Sequence, residues 1–140
     1  MNMNTQISTL NGEFKLKTLS EYGNELSKTQ PTGMYIENEK IYVKSWTDVT
    51  MFFVEYLITN GDLKQENLPF CLWRSRLSKE FINKTGKPSS GSDGYFKKVK
   101  DGFFVDTKYN AKSHILNMIA TLDKLSITNK YSIRIVVCQK

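Results

Sequence analysis

Histidine occurs once in this chain, at position 114, and cysteine only twice, as Cys71 and Cys138. Neither cysteine belongs to a CxxC pair or lies near the histidine in sequence, so metal-ligand spacing is missing and no metal is expected. Two isolated thiols read as the reduced side chains of a cytoplasmic protein. Long apolar runs are also missing. None exceeds four residues, as in Met51-Phe52-Phe53-Val54 inside an amphipathic pattern, so no membrane partner is expected. The opening residues, Met1 to Gln6, are polar and lack the hydrophobic region of a signal peptide. There is no P-loop, no GxGxxG, no GxSxG and no kinase-like set, which removes the common signatures of nucleotide, dinucleotide, acyl-transfer and kinase chemistry. No cofactor is expected.

What the chain does have is length, ordinary composition and positive charge. At 140 residues, 39% hydrophobic and 24% charged, it is long enough for one domain with a proper core, and too apolar for wholesale disorder. The net charge is +6 and the pI about 9.3. Between Asn60 and Lys100 there are nine Lys or Arg against four acids, so the excess sits in the middle of the chain. Such a concentration suits a polyanion or an acidic protein surface; the blander alternative is a solvated lysine-rich face.

The clearest stretch runs from Tyr95 to Leu125. Tyr95 to Lys100 and Phe103 to Thr107 are β-prone runs separated by Asp101-Gly102, a two-residue hairpin signal, because both types accept positive φ. The period then changes. Ala111, Ile115, Met118, Ile119, Leu122 and Leu125 fall on one face of a helix, with Asn110 placed as its N-cap. A second ββα unit occupies Met34 to Gly61, with its turn near Asn38-Glu39, Ser45 as N-cap, Asp48 three residues on, and a stop at Asn60-Gly61. The two units align without gaps at an offset of 62 residues, Ile41 on Phe103. Internal duplication and the shared hydrophobic pattern of any two ββα units both account for that match. The stripe Val49, Phe53, Tyr56, Leu57 is widened by Met51, Phe52 and Val54, so this helix is expected to be buried on more than one side, by the N-terminal arm, the middle segment or a second copy in a homodimer through 46–59.

Residues 1–33 read as an N-terminal arm, partly ordered, with a short alternating strand at Glu13 to Lys17, a helical turn after Ser20, and a break at Pro31-Thr32-Gly33. Residues 34–140 form the domain. Its connecting segment 62–94 holds the irregular apolar run Leu68 to Trp73, helical spacing at Trp73, Leu77 and Phe81, and a flexible loop from Lys87 to Gly94. Tyr131, Ile133, Ile135 and Val137 alternate with Ser132, Arg134, Val136 and Cys138, a last strand with one apolar face. The expected class is α+β: a mostly antiparallel sheet of about five strands, from two ββα units plus the C-terminal strand, with two main helices packed on it.

Tyr42-Val43-Lys44-Ser45-Trp46 with Asp48, followed by Val105-Asp106-Thr107, Asn110-Ala111 and Ile115-Leu116, resembles a ββα-repeat module of bacterial and mobile-element proteins linked to restriction and defence. The resemblance covers Tyr35 to Val137 and departs at Asn110, where the pattern favours Ser, and in the middle segment. It implies a defence or counter-defence setting and assigns no residue a catalytic role.

The residues themselves give little chemistry. A lone His114 beside an apolar stripe reads as structural. Asp48, Asp101 and Asp106 each have a structural role on offer, as first-turn acid, turn residue and strand end. A metal-dependent nuclease would need Asp106 to meet Glu55 or Glu80 at a divalent cation. The favoured expectation is a non-enzymatic binding protein for nucleic acid, or for a nucleic-acid-handling complex. Its binding residues would be Arg74, Arg76, Lys79, Lys84, Lys87, Lys97 and Lys98, with Trp73 and Phe70 as stacking aromatics. The competing account of Trp73 and Phe70 is that they plug the core. The alternative function is a phage-type inhibitor that occludes a partner protein or sequesters a nucleotide; the nuclease is the weaker third.

Overall fold

The structure is a computed structural model that describes residues 10–72, 80–87 and 96–140. Among the described residues, eight strands and three helices follow one another. They are β1 (Gly12–Lys15), α1 (Leu16–Leu19), β2 (Thr29–Ile36), β3 (Glu39–Tyr42), α2 (Trp46–Thr59), β4 (Phe70–Cys71), β5 (Glu80–Asn83), β6 (Phe96–Lys100), β7 (Phe103–Asp106), α3 (Ala111–Lys124) and β8 (Ile133–Gln139), with a 3-10 turn at Asn24–Lys28. The class is α+β, as the periodicities imply. The strands divide into two antiparallel sheets of four, however, and not one of about five: β1-β8-β2-β3, here sheet A, and β4-β5-β7-β6, sheet B.

Both hairpin–helix units are present, one in each sheet. Lys100 pairs with Phe103 across Asp101-Gly102, and Ile36 pairs with Glu39 across Glu37-Asn38. The caps form as their residue types dictate. The Ser45 side chain accepts from the Asp48 N–H at 3.1 Å, and that of Asn110 from the Ser113 N–H at 2.9 Å. Asp48 completes its cap by accepting from the Lys44 N–H at 3.0 Å. The two caps lie 65 residues apart, not 62. On that offset Val49, Thr50, Phe53 and Leu57 correspond to His114, Ile115, Met118 and Leu122, all buried. A slip of three residues is close to one helical turn, which is why the gapless match preserved a plausible stripe.

Helix α2 is the shared element. It packs on β2 of sheet A, on β6 of sheet B and on α3. Phe53, Val54, Met118, Ile115, Met34, Ile135, Ile82 and Val105 are all fully buried in one core. Burial of each large side chain contributes about 1.5–3 kcal/mol. Of the residues that widen the apolar face of α2, Val54 is buried within the chain, while Met51 and Phe52 are only partly buried.

Residues 10–33 are part of the domain rather than an arm beside it. β1 pairs with β8, and Leu10, Leu16, Leu19 and Leu26 are buried in the core. Pro31 to Gly33 lies within β2 as a bulge, with Pro31 opposite Val137 and Gly33 opposite Val136. Pro31 is tolerated because β3 begins its pairing at Gly33, so no neighbour on that side needs its missing N–H. Glu80 to Asn83 is a strand, not the end of a helix: it pairs with β7, which buries Phe81 and Ile82. Among the described residues, no helix is long and apolar enough to cross a membrane.

Candidate functional site

The inner face of sheet A carries Phe14, Ile135, Met34 and Ile41 in one register row, with Ile36, Ile133 and Val137 around them. Alternation therefore turns the intervening residues outward. The register sets Lys15, Arg134, Tyr35 and Lys40 side by side across all four strands, and beside them Glu13, Val136, Gly33 and Tyr42. The solvent face of the sheet is thus a row of three cations interrupted by one tyrosine, with a second tyrosine at its edge.

The contacts within this face are specific. The Arg134 guanidinium lies 4.7 Å from the Tyr35 ring centroid, and the Lys40 ammonium 5.4 Å from Tyr35 and 5.0 Å from Tyr42. Lys40 therefore bridges two aromatic rings, each contact worth about 0.5–1 kcal/mol at an exposed site. Its stem crosses Gly33, where a Cβ would meet Lys40 Cε at 3.4 Å. Arg134 also donates to Glu13 at 2.5 Å, which fixes the guanidinium over the sheet. Tyr42 is 77% exposed, the most exposed large hydrophobic side chain among the described residues. Flat rings beside fixed cations on an open antiparallel sheet are the chemistry that stacks bases and holds their phosphates.

The residues expected from the sequence fall elsewhere. Trp73, Arg74, Arg76 and Lys79 lie outside the described residues. Phe70 is 3% exposed in the core, with the Lys124 ammonium 4.9 Å from its ring, so it has no open face for a base. Lys84, Lys87, Lys97 and Lys98 are exposed on sheet B. Phe104 pairs with both Asn83 and Lys98, and Phe103 with Lys100, which brings Lys84, Lys98 and Lys100 to the hairpin end of that sheet. The Lys87 carbonyl accepts from Asn83 Nδ2 and joins them there. Lys98 is paired with Asp101 at 2.7 Å. Sheet B thus offers a lysine surface without an exposed aromatic among its described residues.

His114, Asp106 and Tyr109 are bonded within the fold. His114 is buried and bonded through Nδ1 to Thr50 Oγ1 at 2.7 Å, tying α3 to α2. Burial pushes its pKa down to about 4, against the pull of the Asp106 charge and of a hydrogen bond to the Tyr109 backbone. Asp106 is buried and accepts from the Lys108 N–H and the Tyr109 hydroxyl. Burial, then the Asp106 charge, raises the Tyr109 hydroxyl well above its ordinary value. Thr50 and His114 face no solvent, so the pair cannot act on a substrate. Glu55 stands beside β3 and Asp106 in sheet B, and among the described residues no three His, Cys, Asp or Glu side chains are grouped to hold a metal.

The chain matches no family model, no curated protein and no solved structure. The functional reading therefore rests on the geometry of sheet A and on the charge. Only strand pairing gathers Arg134, Tyr35, Lys40 and Tyr42. The outward half of β8, with Arg134 at its start, is the one part of this face that alternation alone marks out.

Proposed function

We propose that this chain is a non-enzymatic binding protein for single-stranded nucleic acid, with a base stacked on Tyr42 and phosphates held by Lys40, Arg134 and Lys15. The observation that carries the reading is the cation–aromatic row on the open face of sheet A, ending at an exposed tyrosine. The net charge of +6 supports it by drawing polyanions toward the whole molecule. The lysines of sheet B add to that attraction, and a defence or counter-defence setting suits a small protein that coats exposed strands.

Fluorescence anisotropy with single-stranded and duplex oligonucleotides tests it. The single strand should bind more tightly, with a log–log salt slope of about −0.7 per phosphate neutralised. Tyr42→Ala should weaken binding by about 1–3 kcal/mol, the range for one stacked base. The Lys40→Ala, Arg134→Ala pair should flatten the slope by roughly 0.7 for each phosphate contact removed. Binding that survives these changes but disappears in Lys97→Glu, Lys98→Glu would move the site to the central basic segment. No binding at low salt refutes the nucleic-acid reading.

A further inference from the structure

Among the described residues, strand β3 ends sheet A and bonds to β2 on one side only. The tight turn closes on the pair Ile36 and Glu39, so Glu39 and Ile41 exchange their bonds with β2. The N–H and C=O groups of Lys40 and Tyr42 are turned away from it, a template for one more strand. Beside this edge runs a groove of about 420 Å³ between β3 and α2. Its lining is apolar at Ile41, Phe52 and Tyr56, acidic at Glu39 and Glu55, and holds no lysine or arginine. Neither carboxylate has an ion pair among the described residues. In a protein of net charge +6, these two acids lie together beside an apolar groove and an open strand edge.

We infer that this groove docks an extended basic segment of a partner protein, which joins sheet A as a fifth strand along β3. Backbone bonds to Lys40 and Tyr42 would supply affinity, and alternate side chains the specificity. Same-face side chains of a strand are two residues apart, roughly 6.6 Å, so one apolar residue against Ile41 puts a basic neighbour at Glu39, with Glu55 lining the same groove. Charge selects the occupant. A second copy of this chain would bring its own Glu39 and Glu55 into the same space, and a polyanion would be repelled; a basic segment is attracted. The inference is independent of the nucleic-acid reading, because Glu39 and Ile41 face α2 whereas Lys40 and Tyr42 face solvent.

The test is an NMR titration of the isotope-labelled chain with the peptide Thr-Lys-Thr-Val-Thr-Lys-Thr and with its counterpart carrying Glu for each Lys. The lysine peptide should shift the amide resonances of Lys40, Tyr42 and Phe52 and slow solvent exchange at Lys40 and Tyr42. The glutamate peptide should shift none of them. In Glu39→Lys, Glu55→Lys the preference should invert, so the variant reports its own folded state by binding the glutamate peptide. Equal response to both peptides, response to neither, or shifts at Phe52 without protection at Lys40 and Tyr42 would each overturn the inference. So would self-association that Phe52→Asp abolishes, which would make the face an interface between copies.

Discussion

Replacing His114 by Gln tests how tightly the two helices are sealed against each other. The ring is buried with Thr50 at 2.7 Å, and burial depresses its pKa from 6.5 to about 4. The unfolded chain binds a proton as pH falls below 6.5, while the folded chain refuses it until about 4. Stability is therefore lost across that window as pH falls, and the loss levels off below it. At 1.36 kcal/mol for each pKa unit, lowering the pH from about 7.5 to about 5 should remove about 2 kcal/mol through this group alone. Glutamine keeps a polar atom for Thr50 and does not titrate. Urea unfolding of both proteins at the two pH values isolates the term as the difference between their losses. Asp62 is pushed up by burial, but its bonds from Lys130 and Tyr131 outweigh that and hold it below the ordinary carboxylate range. Its stability contribution falls in acid in both proteins and cancels. Equal losses in wild type and His114→Gln would mean that the ring is solvated and the α2–α3 contact is open.

Two further substitutions check the frame that carries the site. Gly102 has φ +82°, and a Cβ there would stand 1.9 Å from Gln65 Nε2, so Gly102→Ala should destabilise by about 1–2 kcal/mol through its backbone alone. Adding Gln65→Ala relieves the overlap and leaves the backbone cost; a neutral Gly102→Ala in thermal unfolding would contradict this turn. Met118 is fully buried and Ile119 only partly buried, so Met118→Ala should cost about 2–5 kcal/mol and Ile119→Ala distinctly less. Equal losses in denaturant titrations would mean that α3 is rotated from its observed setting.

The elements that could be read from the sequence are those whose signal is local. Asp101-Gly102 dictates a hairpin, Asn110 and Ser45 dictate helix starts, and the period of β8 separates an inner from an outer face. Pairing partners are not local. Alternation says which side of a strand is apolar but not which strand lies beside it, so eight strands in two sheets looked like about five in one. β4 and β5 are two and four residues long, too short to show a period. β2 was hidden by Pro31 and Gly33, which mark a break in most contexts and here form a bulge. The site suffered most from this. Glu13 and Arg134 stand 121 positions apart and meet only because β1 pairs with β8. Lysine density instead directed attention to the middle segment, where charge is concentrated in sequence and the described aromatic, Phe70, is spent on the core.

The breadth of α2 links these observations. A helix that covers one sheet needs an apolar stripe of about 100°. α2 has to fill three contacts, with β2, β6 and α3, and its buried positions Val49, Thr50, Phe53, Val54 and Leu57 are distributed among them. Thr50 is the one polar member, and His114 satisfies it, so the α2–α3 seam sets helix rotation through a directional bond where apolar packing alone would tolerate sliding. That rotation decides what remains outside. With Phe53 and Leu57 inward, Phe52, Glu55, Tyr56 and Thr59 face the edge of β3 and form the acidic groove. The same inward residues support Met34 and Ile135, whose neighbours Tyr35 and Arg134 stand on the opposite side of the sheet. A change that rotates α2 should therefore disturb the groove first. The outer face, held by backbone pairing across four strands, should keep its cation–aromatic row until sheet A itself unfolds.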